Sequence, residues 1–322
     1  MIPLTVTKVM TRLAFPFLFP VVAVLLIAAC NRYADLPDDS KIDPSPVNFA
    51  FDSRQSGFEE VYVANYDGTE VRRITFTDPP GFSCCPYWSP DHAQIAFISD
   101  REGDEELYLM DADGGNVRRL TYNPGFDWSP AWTPDGTQIV FLWGPNNHAQ
   151  IYIINVDGTG QQLLGDFVGE ASGDLNWSPD GERLLFTSQR NGNPEQIFEL
   201  DMKTKVVRQL IVSHKMSLSA NASWTPSGKN IVFTSDRYGP LDIFRMDLDG
   251  SNLRRITHSP EGRTGSWAFA QSPNGTHIVF SSDRFGDAPE YRSNMEIYVI
   301  DSDGSNVRRI TSNQWMDAHP DW

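Results

Sequence analysis

One short cassette recurs five times in this chain and restricts its fold more than any other feature. It reads Trp88-Ser-Pro-Asp91, Trp132-Thr-Pro-Asp-Gly136, Trp177-Ser-Pro-Asp-Gly181, Trp224-Thr-Pro-Ser-Gly228 and Gln271-Ser-Pro-Asn-Gly275, at spacings of 44 to 47 residues. A period of that length marks an array of like supersecondary units, and the unit expected in this range is a propeller blade of four strands. Turn chemistry divides each copy. A segment ends at the Trp, the Pro-Asp-Gly turn reverses the chain, and a strand such as Gln94–Ile98 follows. A Ser-Asp-Arg loop then leads to a third strand such as Leu107–Met110, and an Asp-Gly turn leads to a short fourth strand. Pro, Gly and Asp lie between the strands, where hairpins need them. Many strands are apolar on both faces, which fits blades packed between neighbours better than a sheet with one wet face.

Third strands are centred near Val61, Leu107, Ile151, Ile197, Ile243 and Ile297, so six blades are expected. The first copy lacks a Trp-ending strand, while the chain finishes with Ala318-His-Pro-Asp-Trp322 in the style of that strand. Residues 318–322 should therefore supply the inner strand of the blade made from residues 47–75. Such closure removes the exposed end blades that an open array has to cap. The expected fold is all-β, a six-bladed propeller of four-stranded blades over residues 47–322. A chain of 322 residues that is 40% hydrophobic can fill it.

The repeat resembles that of TolB-type propellers, roughly W-S-P-D-G-x-x-I-A-F-x-S-D-R followed by I-Y-x-M-D-x-D-G-x-x-x-R-R-L-T. The second and fifth copies fit it nearly throughout, for example at Asp111–Gly114 and Arg118–Thr121. The resemblance covers residues 47–322 and implies the propeller fold. Only a short tether precedes the first blade, so the additional N-terminal domain of the Tol-system protein is not expected.

Residues 1–29 carry Lys8 and Arg12 and then an apolar run from Leu13 to Ala29, the layout of a secretory signal. Leu26-Ile27-Ala28-Ala29-Cys30 resembles a bacterial lipobox, which implies cleavage before Cys30 and lipidation of that residue. Pro16 and Pro20 interrupt the run and argue against a spanning helix. Residues 30–46 then form the lipidated cysteine and a flexible, proline-containing tether. The expected location is the extracytoplasmic side of a bacterial membrane, in the cell envelope.

The net charge of −16 lacks the clustered positive surface that nucleic acid requires. Three cysteines cannot build a disulfide framework. Adjacent Cys84 and Cys85 read either as two small residues at a crowded channel mouth or as a vicinal disulfide. The Asp-x-Asp-Gly segments have glycine in the fourth rather than the sixth place, so they read as hairpin turns and not as calcium loops. Recurring Ser-Asp-Arg triplets suggest a contact that fixes a loop. Paired arginines such as Arg118-Arg119 suggest a charged, soluble blade edge.

Enzymatic readings find little support. No Gly-x-Ser-x-Gly elbow is present. The oligogalacturonate-lyase-like branch of these propellers works with a metal and several histidines. Here the inner positions three before each Trp, or its equivalent, are Cys85, Ser129, Asp174, Asn221, Ala268 and His319, which include one histidine. No metal and no cofactor are expected.

Two copies break the pattern. The third replaces Ser-Asp-Arg with Trp143-Gly-Pro145 and continues to His148, and the sixth lengthens the same loop through Phe285 and Tyr291. Segments leading into inner strands add Phe126, Trp128, Trp267, Trp315 and His319 to the same end of the propeller. These nine residues form the candidate partner-binding face. The expected protein is a monomeric, membrane-anchored, non-catalytic propeller that binds an envelope protein or peptide. The alternative is a glycan-binding or lyase-like propeller with a channel metal.

Overall fold

A computed structural model describes residues 48–144, 149–164, 171–189, 194–210, 217–284 and 295–322. The expectations for residues 1–47, including Cys30, and for His148, Phe285 and Tyr291 fall outside these. Among the described residues the chain forms 24 strands in six four-stranded antiparallel sheets. The first blade has β1 (Asn48–Ser53), β2 (Glu60–Asn65) and β3 (Arg72–Arg73). The second runs β4 (Ser83–Trp88), β5 (Gln94–Ser99), β6 (Glu106–Asp111) and β7 (Arg118–Arg119). The third follows with β8 (Asp127–Trp132), β9 (Gln138–Trp143), β10 (Gln150–Asn155) and β11 (Gln162–Leu163). The fourth comprises β12 (Ala171–Trp177), β13 (Arg183–Ser188), β14 (Gln196–Asp201) and β15 (Val207–Gln209). The fifth contains β16 (Ser219–Trp224), β17 (Asn230–Ser235), β18 (Asp242–Asp247) and β19 (Arg254–Arg255). The sixth is β20 (Ser266–Gln271), β21 (His277–Ser282), β22 (Glu296–Asp301) and β23 (Arg308–Arg309).

The last strand, β24 (Asp317–Asp321), pairs with β1 and completes the first blade. Ala50 stands opposite Asp321, Asp52 opposite Ala318 and Ser53 opposite Asp317. The ring is closed as the sequence predicts. Its core lies between blades: Phe51, Phe97, Phe141, Phe186, Phe233 and Phe280, one from each second strand, are all essentially inaccessible. The terminal Trp322 is buried as well, in a cluster that joins the first blade to the sixth.

The paired arginines have a role that the sequence reading misses. Arg119 pairs with buried Glu106 at the start of β6, and Arg309 with Glu296 of β22 at 2.7 Å. Arg73 and Arg255 pair in the same way with Glu60 and Asp242. A threonine two residues after the arginine accepts the N–H of the next β-strand residue, as Thr257 does from Ile243 at 2.8 Å. Each carboxylate also takes a backbone N–H, such as that of Ser259 at 2.8 Å. The pair therefore pins the outer strand to the third strand in four blades. Gln150 and Gln196 stand at the equivalent place in the other two.

The Ser-Asp-Arg triplets do fix loops. Asp100 accepts the Phe82 N–H at 2.6 Å, while Arg101 reaches Ser83 Oγ at 2.9 Å and lies over the rings of Phe97 and Tyr108. The Asp-x-Asp-Gly segments are hairpin turns, with Asp113 accepting the Gly115 N–H at 2.8 Å.

Candidate functional site

The inner strand of every blade is irregular in its pairing. The register slips by a β-bulge, as in β4, where Cys84 faces Ile98 and Tyr87 faces Ala96. A bulge adds an unpaired residue and re-aims side chains. Cys85 (φ 56°), Ser129 (51°), Asp174 (57°), Asn221 (50°) and His319 (44°) all adopt the left-handed conformation at the position three before the Trp. Ala268 is the exception among the six. Three of the backbone N–H groups so displaced are satisfied from the neighbouring blade. Asp52 Oδ2 accepts from Cys85 at 3.0 Å, Ser129 Oγ from Asp174 at 3.3 Å, and Asp174 Oδ2 from Asn221 at 2.8 Å.

All six of these residues line a cavity of about 740 Å³. Trp128, Trp177, Trp267 and Tyr87 give it aromatic walls, and Glu105, Asp174, Glu195 and Asp321 give it acid. No lysine or arginine is among the described lining residues. Burial raises the Asp174 carboxyl to about 6 and the Asp321 carboxyl to about 7, although each accepts backbone N–H bonds that pull the other way.

At one point of the wall, thiol, imidazole and carboxyl meet. Cys84 Sγ and Cys85 Sγ are 2.9 Å apart as free thiols. His319 Nδ1 is 2.7 Å from Asp52 Oδ2, the same oxygen that accepts the Cys85 N–H. The hydrogen bond from Cys84 lowers Cys85 to about 7, against the effect of burial, and raises Cys84. Burial opposes charge on His319, but the Cys85 and Asp52 charges outweigh it and hold the imidazole well above its usual value.

The structure separates the proposed face into parts. Trp128, Trp267 and His319 line the cavity. Phe126 and Trp315 stand outside it and are exposed, at 56% and 40%. Trp143 donates its indole N–H to the Pro124 carbonyl at 3.1 Å and meets Tyr152 edge-on, so its ring is engaged in its own blade. Asp52 was not selected from sequence. The signal was present: between Phe51 and Ser53 it occupies a place where the other copies have Ile98, Leu142, Thr187, Thr234 and Ser281.

The sequence matches the TolB beta propeller domain over residues 77–172 and 146–288, more than half of the chain. The chain belongs to that family. TolB from Acinetobacter baumannii is similar in structure, with 21% identity and a TM-score of 0.72 over 85% of this chain. The alignment spans 66% of that protein, so this chain covers slightly under two thirds of its length. A putative TolB from Agrobacterium tumefaciens has 22% identity and a TM-score of 0.63, over 82% of this chain and 88% of its own. An oligogalacturonate lyase in complex with manganese is more distant, at 16% identity and a TM-score of 0.52, over 83% and 73%. At these identities the likenesses speak for fold. A search of curated proteins finds no match. Within the TolB propeller family, the acidic and aromatic channel and its thiol corner are properties of this chain's own residues.

Proposed function

We propose that this TolB-family chain is a non-catalytic binding propeller of the bacterial cell envelope, held to a membrane through lipid on Cys30. Its occupant is a protein or peptide segment that carries positive charge into the channel mouth. The observation that carries this reading is the lining: four carboxylates among indole and phenol rings, with no lysine or arginine among the described lining residues. Acidic groups attract a cationic side chain, and tryptophan faces add to that attraction. The same field disfavours the alternative of an acidic oligosaccharide, whose carboxylates would be repelled. The signal-like residues 1–29 and the run ending at Cys30 support the envelope location.

The test is recovery of partners from the native envelope with lipidated wild type beside a Trp128→Ala, Trp267→Ala variant of unchanged thermal stability. One protein should co-purify with wild type and be lost with the variant. Equal recovery from both would place binding elsewhere on the propeller. Binding of an acidic oligosaccharide in place of any protein would overturn the reading.

A further inference from the structure

We infer that Asp52, Cys84 and Cys85 form a binding site for one soft divalent cation of the zinc class, in the wall of the propeller channel. The site is assembled across a blade boundary. Asp52 comes from β1 of the first blade and the two cysteines from β4 of the second, and the three ligating atoms lie within 4.8 Å of one another. His319 on β24 stands behind them as a positioning residue, with its Nδ1 on Asp52 Oδ2 at 2.7 Å.

Three features of the geometry point to a ligand rather than to packing alone. Asp52 is 1% exposed, and its Oδ2 is fully used by His319 and by the Cys85 N–H, yet Oδ1 has no hydrogen-bond partner. A buried carboxylate oxygen without a donor is costly, and a cation removes that cost. The second feature is the bulge at Cys85, which brings both adjacent thiols to the same carboxylate. The third is the carboxylate–imidazole contact, which resembles the outer partners that fix ligands around protein-bound metals.

The donor set selects the class of ion. Two thiolates with one carboxylate suit zinc and other soft or borderline ions, whereas calcium and magnesium take oxygen donors. Binding displaces the thiol protons to solvent, so the two sulfurs and the carboxylate bring three negative charges to a divalent ion. Three protein donors leave a further coordination position for water or for a group carried by the channel's occupant. The site does not depend on the identity of that occupant.

The experiment uses the purified full chain in detergent, reduced with a phosphine and stripped with a chelator. Zinc is titrated in competition with a chromophoric chelator, and cobalt(II) is added in parallel as a spectroscopic probe. One zinc per chain and thiolate-to-cobalt charge-transfer absorption are expected. Cys84→Ser and Cys85→Ser should each remove the charge-transfer signal or halve it and weaken zinc binding. His319→Gln should leave the stoichiometry intact and weaken binding by roughly 10–100-fold, as the loss of an outer partner does. If a cysteine variant fails to fold, the wild type still decides: zinc should raise its melting temperature and protect both thiols from alkylation. Folded, reduced wild type that binds no zinc, or binds it without thiolate absorption and with unprotected thiols, would overturn the assignment.

Discussion

At the scale of single residues, the fold depends on positions where only one side chain fits. Gly265 precedes β20 with φ 104°, a conformation that L-residues rarely adopt. A Cβ there would stand 2.1 Å from the Leu241 carbonyl oxygen. The approach is close because Leu241 donates to the Thr264 carbonyl and accepts from Ser266 at 2.7 Å, while Asp283 accepts the Gly265 N–H at 3.0 Å. Backbone, not a flexible side chain, occupies the space. Gly265→Ala should therefore lower stability by about 3 kcal/mol or more, combining a strained φ with a forced backbone shift. Urea unfolding would measure it, and a change within about 0.5 kcal/mol would show that the β20 entrance relaxes freely. Gly239, also at positive φ but with open space beside its absent Cβ, is the comparison that isolates the steric part.

At the scale of strands and blades, much of the architecture was legible in the sequence. Period and turn residues specified blade number because they are local demands repeated along the chain, and the Trp-ending segment at residues 318–322 specified closure because the first copy lacks one. The arginine pairs were not legible: their partners, such as Glu106 and Asp242, are 13 residues away along the chain, and only strand pairing brings them together. The channel corner was half legible. Cys85 and His319 could be named as inner positions, whereas joining them to Asp52 required the blade-to-blade register. The start of β8 yields a prediction at this scale. Asp127 is fully buried, accepts from Asn123 Nδ2 at 2.9 and 3.1 Å, and is raised to about 7, chiefly by burial and further by Glu106. A carboxyl with a raised folded pKa favours the fold fully below the unfolded value near 4, and that contribution is lost as pH rises through about 7. Asp127→Asn should leave stability little changed at pH 4 relative to wild type and flatten the decline between pH 4 and 8, by up to about 4 kcal/mol. Denaturant midpoints across that range check it. A variant whose stability falls in parallel with wild type would mean that other groups carry the linkage.

At the scale of the whole molecule, closure and charge act together. Joining β24 to β1 makes the six inner strands a continuous wall, so carboxylates contributed by different blades act on one enclosed volume instead of on six separate surfaces. Asp174 comes from β12, Glu195 precedes β14 and Asp321 ends β24. A low-dielectric wall focuses such a field, and a chain of net charge −16 adds to it at longer range. An occupant bearing lysine or arginine should thus bind more weakly as salt rises, since exposed parts of the attraction are screened over about 8–10 Å at 0.1–0.15 M. Asp174→Asn combined with Glu195→Gln should weaken the wild-type partner about tenfold at low salt and reduce the salt slope. A Trp128→Ala variant should weaken binding with the slope retained, because its contribution is chiefly apolar contact. Acidification through about 6 should mimic the Asp174 substitution, as that carboxyl takes up a proton. Affinity measured at several salt concentrations for the three proteins separates the effects. If the double carboxyl variant keeps both its affinity and its salt slope, the cationic segment enters somewhere other than the channel, and the exposed rings of Phe126 and Trp315 become the surface to probe.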